Sequence, residues 1–392
     1  MYNGIPTGNR TSGPPVAGSF RRCRILPFVL IHCCKDMEAR AGVLHTAHGT
    51  LPTPAFLPVA TQATVKAIAG TDLRSLGVPG ILSNAYHLVL RPGLDVIAQH
   101  GGIHSFMRWN GPIVVDSGGF QVFSLAPLVT MDAEGVTFRS HLDGSERFFS
   151  PEELVRIHGA LGSDIGMILD VCTPYEAEEK DVRRAVERTL EWAERSKRIQ
   201  KETPLFAIVQ GGVFPGLRRF CANALVTMDF PGYAIGGLSV GEPREEARAV
   251  LAETIPLLPV DRARYVMGVG TPQELLEYVS MGVDFFDCAL PTRNARNGSI
   301  FTASGKLAIR NASFAGDLRP LDESCPCWVC ENFTRSYIRH LFVAKEILAA
   351  QLATWHNVSF FCRLMRGARQ AILRDDFARY KESWMEKYQW TD

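Results

Sequence analysis

Two groups of side chains in this sequence have the types and spacings that do chemistry. The first is a thiol cluster: Cys325, Cys327 and Cys330 fall within six residues, as Cys-x-Cys-x2-Cys. Three ionised thiols this close repel one another unless a cation neutralises them. Tetrahedral Zn2+ held by three Cys and one His makes a closed, structural site. His340 and His356 are both candidates for the fourth ligand. The second group ends a series of short apolar runs: Asn84, Asp116, Asp170, Gln210, Gly236-Gly237, Gly268 and Asp287. Two carboxylates facing one site suggest glycosidic-bond chemistry, one as nucleophile and one as acid/base. Carboxylates and amides together also match the edge of a guanine-like base, which offers N–H donors and a carbonyl acceptor. Joined, the two readings point to a base–sugar bond. Asp116 opens Asp116-Ser117-Gly118-Gly119-Phe120-Gln121, where the glycines let a flat ligand approach and Phe120 offers a ring to stack on. Arg293 and Arg296, just beyond Asp287, suit bidentate phosphate contacts.

These residues need elements that bring them together. The apolar runs are Ala55–Ala60, Gly80–Asn84, Pro112–Asp116, Ile165–Asp170, Leu205–Gln210, Tyr233–Gly237, Tyr265–Gly268 and Val283–Asp287. They are continuous rather than alternating, which marks strands buried on both faces, as in parallel sheets. Amphipathic segments such as Glu178–Lys201 and Pro272–Met281 separate them. Eight strands alternating with helices predict an α/β fold of the (β/α)8 TIM-barrel type, in preference to a doubly wound open sheet. Such a barrel gathers the C-terminal strand ends, and with them all the polar residues above, at one mouth. Residues 333–355 read as helical. A straight helix of that length runs about 33 Å and carries His356 away from the cysteines. If His356 is the ligand, the helix must break near Val343–Lys345 and fold back.

The chain of 392 residues is 46% apolar and 21% charged, which excludes a mostly disordered chain, a coiled coil and a collagen. No stretch reaches the roughly 18 apolar residues of a membrane span, so no membrane partner is expected. Basic and acidic residues number 42 and 41, so a nucleic-acid partner needs a local basic face. Arg293, Arg296, Arg310, Arg335, Arg339 and Lys345 supply one in the C-terminal third. Seven further cysteines show no framework spacing, which fits a reducing compartment, the cytoplasm. The expected organisation is a disordered tail over 1–22, a catalytic barrel over 23–310, a zinc-binding helical subdomain packed on it over 311–375, and a C-terminal helix or tail over 376–392. The run Ile25–Ile31 reads as a first strand rather than a signal peptide.

The motifs resemble one family. Asn84-Ala85-Tyr86-His87-Leu88-x-Leu90-Arg91-Pro92-Gly93, the Asp116 motif, Ser140-His141-Leu142-Asp143-Gly144, Gly236–Glu242, Met267-Gly268-Val269-Gly270 and Asp287–Arg293 are similar to those of the tRNA-guanine transglycosylases. So is Cys-x-Cys-x2-Cys followed, after 25 intervening residues, by His356-Asn357. The resemblance covers roughly residues 25–375 and is closest to the bacterial type. It implies a barrel with a zinc-bearing insertion that exchanges guanine at the tRNA wobble position for a 7-deazaguanine base. It implies Asp287 as the nucleophile at ribose C1′ and Asp116 as the general acid/base. Asp170, Gln210, Gly237 and Leu238 are then base-binding, with Met267 and Phe120 as stacking walls. Arg293 and Arg296 grip tRNA, and Cys325, Cys327, Cys330 and His356 hold the zinc. A homodimer is implied too. Val171 stands where bacterial members usually have Glu, and in this it resembles the eukaryotic enzymes that take queuine. Val240 and Cys172 resemble the bacterial ones, and Ala85 replaces a usual Thr. With no further domain after the zinc region, an archaeosine-type enzyme is not expected. The expectation is 7-aminomethyl-7-deazaguanine as incoming base in queuosine biosynthesis. Queuine insertion and a non-catalytic tRNA-binding partner subunit are the alternatives.

Overall fold

A computed structural model describes residues 26–119 and 129–388. The chain enters through an antiparallel sheet of β1 (Phe28–Cys33), β2 (Arg40–Thr46) and β3 (Gly49–Thr53). The barrel follows with β4 (Ala55–Pro58), β5 (Ile81–Asn84) and β6 (Ile113–Asp116). A second antiparallel sheet, β7 (Val129–Met131), β8 (Val136–Arg139) and β9 (Glu146–Phe149), leaves the barrel after β6. The barrel resumes with β10 (Ile165–Met167), β11 (Leu205–Val209), β12 (Gly232–Ile235), β13 (Ala263–Val266) and β14 (Phe285–Cys288). The hairpin β15 (Ser299–Thr302) and β16 (Gly305–Ala308) follows it.

Each of the eight apolar runs supplies one barrel strand. The order is β4-β14-β13-β12-β11-β10-β6-β5, parallel throughout. A parallel bridge between Val59 and Leu82 joins the two ends and closes the barrel. The helices explain why the strands carry no polar face. Glu179–Ile199 turns Val182, Ala185, Val186, Trp192 and Ala193 onto the sheet, a 3.6-residue stripe on a charged helix. Helix Pro272–Ser280 starts in a capping box: Thr271 Oγ1 accepts from Glu274 N–H and the Glu274 carboxylate accepts from Thr271 N–H, both at 3.3 Å.

The closed end of the barrel is tied by buried ions. Arg40 of β2 reaches Asp284, ahead of β14, at 2% and 0% exposure. Its Nε donates to Asp284 Oδ1 at 3.1 Å, and Nη1 and Nη2 donate to the Val260 and Arg262 carbonyls at 2.8 Å. Removing one partner of a buried pair leaves the other charge desolvated and uncompensated. Arg40→Ala is therefore expected to lower the unfolding free energy by about 3–5 kcal/mol, read by chemical denaturation. Across the barrel, ahead of β10, Asp164 accepts from His48 Nδ1 at 3.0 Å, from His104 Nε2 at 3.1 Å and from the Ile113 N–H at 2.9 Å.

After the barrel, helix Arg335–Val343 ends at Ala344, Lys345 takes a left-handed φ of 61°, and helix Ile347–Ile372 begins. The break expected near Val343–Lys345 is there. The second helix runs well past residue 355, because it carries two apolar faces in sequence. Ala349, Leu352 and Ala353 pack with the cysteine segment, and Phe360, Phe361, Leu364 and Met365 pack on the barrel. Among the described residues no helix is long and apolar enough to cross a membrane. The tail expected over 1–22 lies outside the described residues, and β1 is the first described strand.

Candidate active site and metal centre

The strand ends converge as the barrel requires, and hydrogen bonds connect them. Asn84, the last residue of β5, caps the following helix by accepting from His87 N–H at 3.2 Å. Its amide nitrogen donates to Asp116 Oδ2 at 3.0 Å. Ser117 Oγ lies 3.5 Å from Asp116 Oδ1 and donates to Asp170 Oδ1 at 3.2 Å. Gln210 Nε2 donates to Asp170 Oδ2 at 2.7 Å. Gly119 has to be glycine here, since a Cβ would meet Asp170 Oδ1 at 2.3 Å.

Asp116, Asp170 and Asp287 are each only 6–7% exposed. Burial disfavours their charged forms, and for Asp116 like charges add to this. Asp116 is pushed up to about 7, by burial first and then by Asp170 and Asp287. Asp170 is pushed up to about 6 by burial, held back by Gln210 and Ser117. Asp287 is raised by burial and held down by its donors. Tyr265 Oη donates to Asp287 Oδ1 at 2.5 Å and the Gly268 N–H donates to the same oxygen at 3.0 Å. With Oδ1 doubly engaged, Oδ2 keeps the freer lone pairs. The Tyr265 ring stacks on Phe285 at 4.5 Å, which fixes the phenol.

The ends of β11 and β12 form a floor beside Asp170. Gly236 and Gly237 pass so close to the Gln210 amide that a Cβ on either would lie 2.7 or 2.5 Å from it. Leu238 is buried and Met267 half-buried. Beyond them, Glu242 accepts from Ser239 N–H at 2.5 Å and Val240 N–H at 2.9 Å, holding Ser239 at a left-handed φ of 59°. Val171 is buried in the apolar cluster that also holds Leu169, Ala185 and Trp192, and its N–H donates to Thr189 Oγ1 at 3.0 Å. Phe120 lies outside the described residues. Arg293 and Arg296 are carried on helix Leu290–Arg296, which leaves the mouth directly after β14.

The cysteines meet His356, and His340 is exposed on another helix. The ligand atoms of Cys325, Cys327, Cys330 and His356 all lie within 4.8 Å of one another. His356 Nδ1 is 3.2 Å from Cys330 Sγ and 3.6 Å from Cys327 Sγ. Its Nε2 donates to the Phe301 carbonyl at 2.7 Å, which fixes the tautomer that leaves Nδ1 for a metal. This donor set fits a tetrahedral ion. Asn357 next to it donates to the Pro291 and Ser299 carbonyls at 3.0 and 3.1 Å, so the metal helix braces the segment that follows Asp287. His48, His104 and Asp164 also cluster. However, the two imidazoles stack at 3.5 Å with planes only 21° apart, so an ion shared by both would sit well out of a ring plane.

Sequence reasoning gave no role to Ser117, Tyr265, Arg218, Glu242 or Asn357. Two of these left a signal. A tyrosine hydroxyl in a doubly buried strand needs a partner. Arg218 occupies the apolar stripe of helix Pro215–Thr227, in step with Cys221, Ala222 and Leu225.

A closed parallel barrel whose mouth holds three buried carboxylates, with a separate thiolate centre, defines an enzyme of the (β/α)8 class. The family model described as Queuine tRNA-ribosyltransferase matches residues 34–390. The chain is 54% identical over 354 residues to a queuine tRNA-ribosyltransferase of Caldanaerobacter subterraneus subsp. tengcongensis, covering 90% of this chain and 94% of that one. It is 53% identical to one from Desulforamulus reducens, covering 90% and 96%, and 51% identical to one from Halalkalibacterium halodurans, covering 92% and 96%. The chain belongs to the queuine tRNA-ribosyltransferase family.

Proposed function

We propose that this chain is a tRNA-guanine transglycosylase of queuosine biosynthesis. It exchanges guanine at the wobble position for 7-aminomethyl-7-deazaguanine by double displacement. The observation that carries this reading is the division of labour among the mouth carboxylates. Asp287 presents one freer oxygen, and Asp116 is pushed up to about 7, where it can both give and take a proton. Asp287 Oδ2 attacks C1′ as the C1′–N bond breaks, and the bond's electron pair leaves with guanine, which takes the Asp116 proton. The incoming base then gives its proton to Asp116 and attacks C1′, releasing Asp287. Two inversions retain configuration, and the first product leaves before the second base enters, giving ping-pong kinetics. Asp170, Gln210, Gly237 and Leu238 read the base edge, Met267 and Phe120 stack on it, and Arg293 and Arg296 hold tRNA phosphates. A single-stranded anticodon loop lets the base swing out cheaply. The enzyme acts in the cytoplasm as a homodimer.

Incubation with tRNA and labelled guanine tests this directly, reading label in the anticodon and a tRNA adduct that survives denaturation. Neither signal from protein with intact metal would sink the reading and favour a non-catalytic partner subunit. Base choice rests on Val240, at the rim beside Glu242, while Val171 is buried within an apolar cluster. Competition between the two bases is expected to favour 7-aminomethyl-7-deazaguanine, and Val240→Gly to shift the ratio toward bulkier queuine by about tenfold. A wild type preferring queuine reverses the choice.

The metal is Zn2+, one per chain, structural because four protein ligands leave no open position. Bound there, it would crosslink the cysteine segment to the long helix. Metal analysis is expected to find one zinc per chain. Cys330→Ser should lower the zinc content and the melting temperature together; a normal melt without zinc would deny it that role.

A further inference from the structure

Arg218 is a guanidinium at 1% exposure that lies against carbonyls. Its Nε donates to the Gly212 carbonyl at 2.8 Å, Nη1 to those of Val209 at 2.9 Å and Gly236 at 2.7 Å, and Nη2 to that of Gly237 at 3.2 Å. Burial lowers it to about 10, still charged at neutral pH. Desolvating a cation for four neutral acceptors is costly, and the helix stripe would pack a Leu there without that cost.

The consequence lies in peptide geometry. A trans peptide is planar, with its C=O and N–H on opposite sides. Arg218 draws the carbonyls of peptides 236–237 and 237–238 to one side. The N–H groups of Gly237 and Leu238 therefore face the other, with Gly237 at a left-handed φ of 64° between them. Successive N–H groups around a left-handed residue form a concavity for an electronegative atom. A fixed cation behind the two peptide dipoles strengthens their pull on developing negative charge.

We infer that Arg218 is a positioning residue that aims the Gly237 and Leu238 N–H groups at the carbonyl oxygen of the exchanged base. It thereby sets the preference for 6-oxopurines. The inference rests on the proposed base exchange. A base without the oxygen leaves the Leu238 N–H without that partner and the Gly237 N–H with only the Cys172 thiol, and a site built around such bonds rejects it. The probe is 2-aminopurine, which lacks that oxygen and the N1–H that goes with it, so the change in preference between wild type and variants is what reports on the two main-chain donors.

Binding of guanine and of 2-aminopurine is measured by calorimetry on wild type, Arg218→Lys and Arg218→Gln, with tRNA KM and melting temperature alongside. Wild type is expected to prefer guanine by at least about 100-fold, and both variants to reduce that preference by at least about tenfold while tRNA KM changes less. A merely structural role would weaken both bases alike and leave the preference unchanged. That outcome overturns the inference. So does a wild type that binds both bases equally, a reading that needs no variant. A wild type that exchanges no guanine at all would instead remove the proposed function.

Discussion

Asp287→Asn is expected to abolish base exchange, by at least about 10^4-fold in kcat, and to remove the denaturation-resistant tRNA adduct. The replacement is nearly isosteric. Its amide oxygen can still accept from Tyr265 Oη and the Gly268 N–H, the two donors that hold Oδ1. What changes is the second position, where an amide nitrogen has no lone pair free to bond to C1′. The loss should be much larger than the loss of one hydrogen bond, because the covalent step itself disappears. It should also be specific. Burial raises the Asp287 carboxyl, so an uncharged replacement relieves a desolvation penalty and the variant should fold at least as firmly as wild type. Guanine should still bind, since Asp170 and Gln210 are untouched. Persistence of exchange above one-hundredth of the wild-type rate would assign the nucleophile elsewhere.

The barrel was legible because parallel strands buried on both faces leave continuous apolar runs, and each run here became a strand. The polar ring was legible for a related reason: a strand that is apolar up to its end and then stops on Asp, Asn or Gln places that residue at the mouth. What the sequence hid was the scaffolding between those groups. Ser117 joins Asp116 to Asp170 through one hydroxyl, and nothing in Asp-Ser-Gly-Gly separates it from an ordinary turn residue. Glu242 looks like any exposed acid before a helix, yet its carboxylate takes two successive N–H groups at the rim. Asn357 depends on three segments meeting, β15, the residues after Asp287 and the metal helix, which no local pattern encodes. The fourth member of the cysteine cluster was ambiguous between His340 and His356 because both are helical. The turn at Ala344–Glu346 is what turns the chain back and decides it.

Asp116→Asn should make the protein inactive and more stable at once. A neutral amide cannot cycle a proton, so kcat is expected to fall by about 10^2–10^4-fold. The stability gain follows from the raised carboxyl. A group whose folded pKa lies above its unfolded value favours folding fully below the unfolded pKa, and loses that contribution as pH rises through the folded value. For Asp116 the window runs from the ordinary 3.8 to about 7. Above it, the folded protein carries an ionised carboxylate in a buried site beside Asp170 and Asp287, at a cost on the order of 4 kcal/mol. The substituted amide carries no charge at any pH, and its one oxygen can accept either from the Asn84 amide or from the Ser117 and Gly118 N–H groups that now serve Asp116, which offsets part of the gain. Denaturation at pH 8 should therefore show the variant more stable by a few kcal/mol, and at pH 4 the two proteins should be nearly equal. A variant less stable at pH 8, or one with the same advantage at both pH values, would mean that Asp116 is not held in an environment that resists its charge. The raised Asp116 carboxyl follows from three carboxylates sharing one desolvated mouth, and on the proposed mechanism the same desolvation keeps a proton available near neutrality.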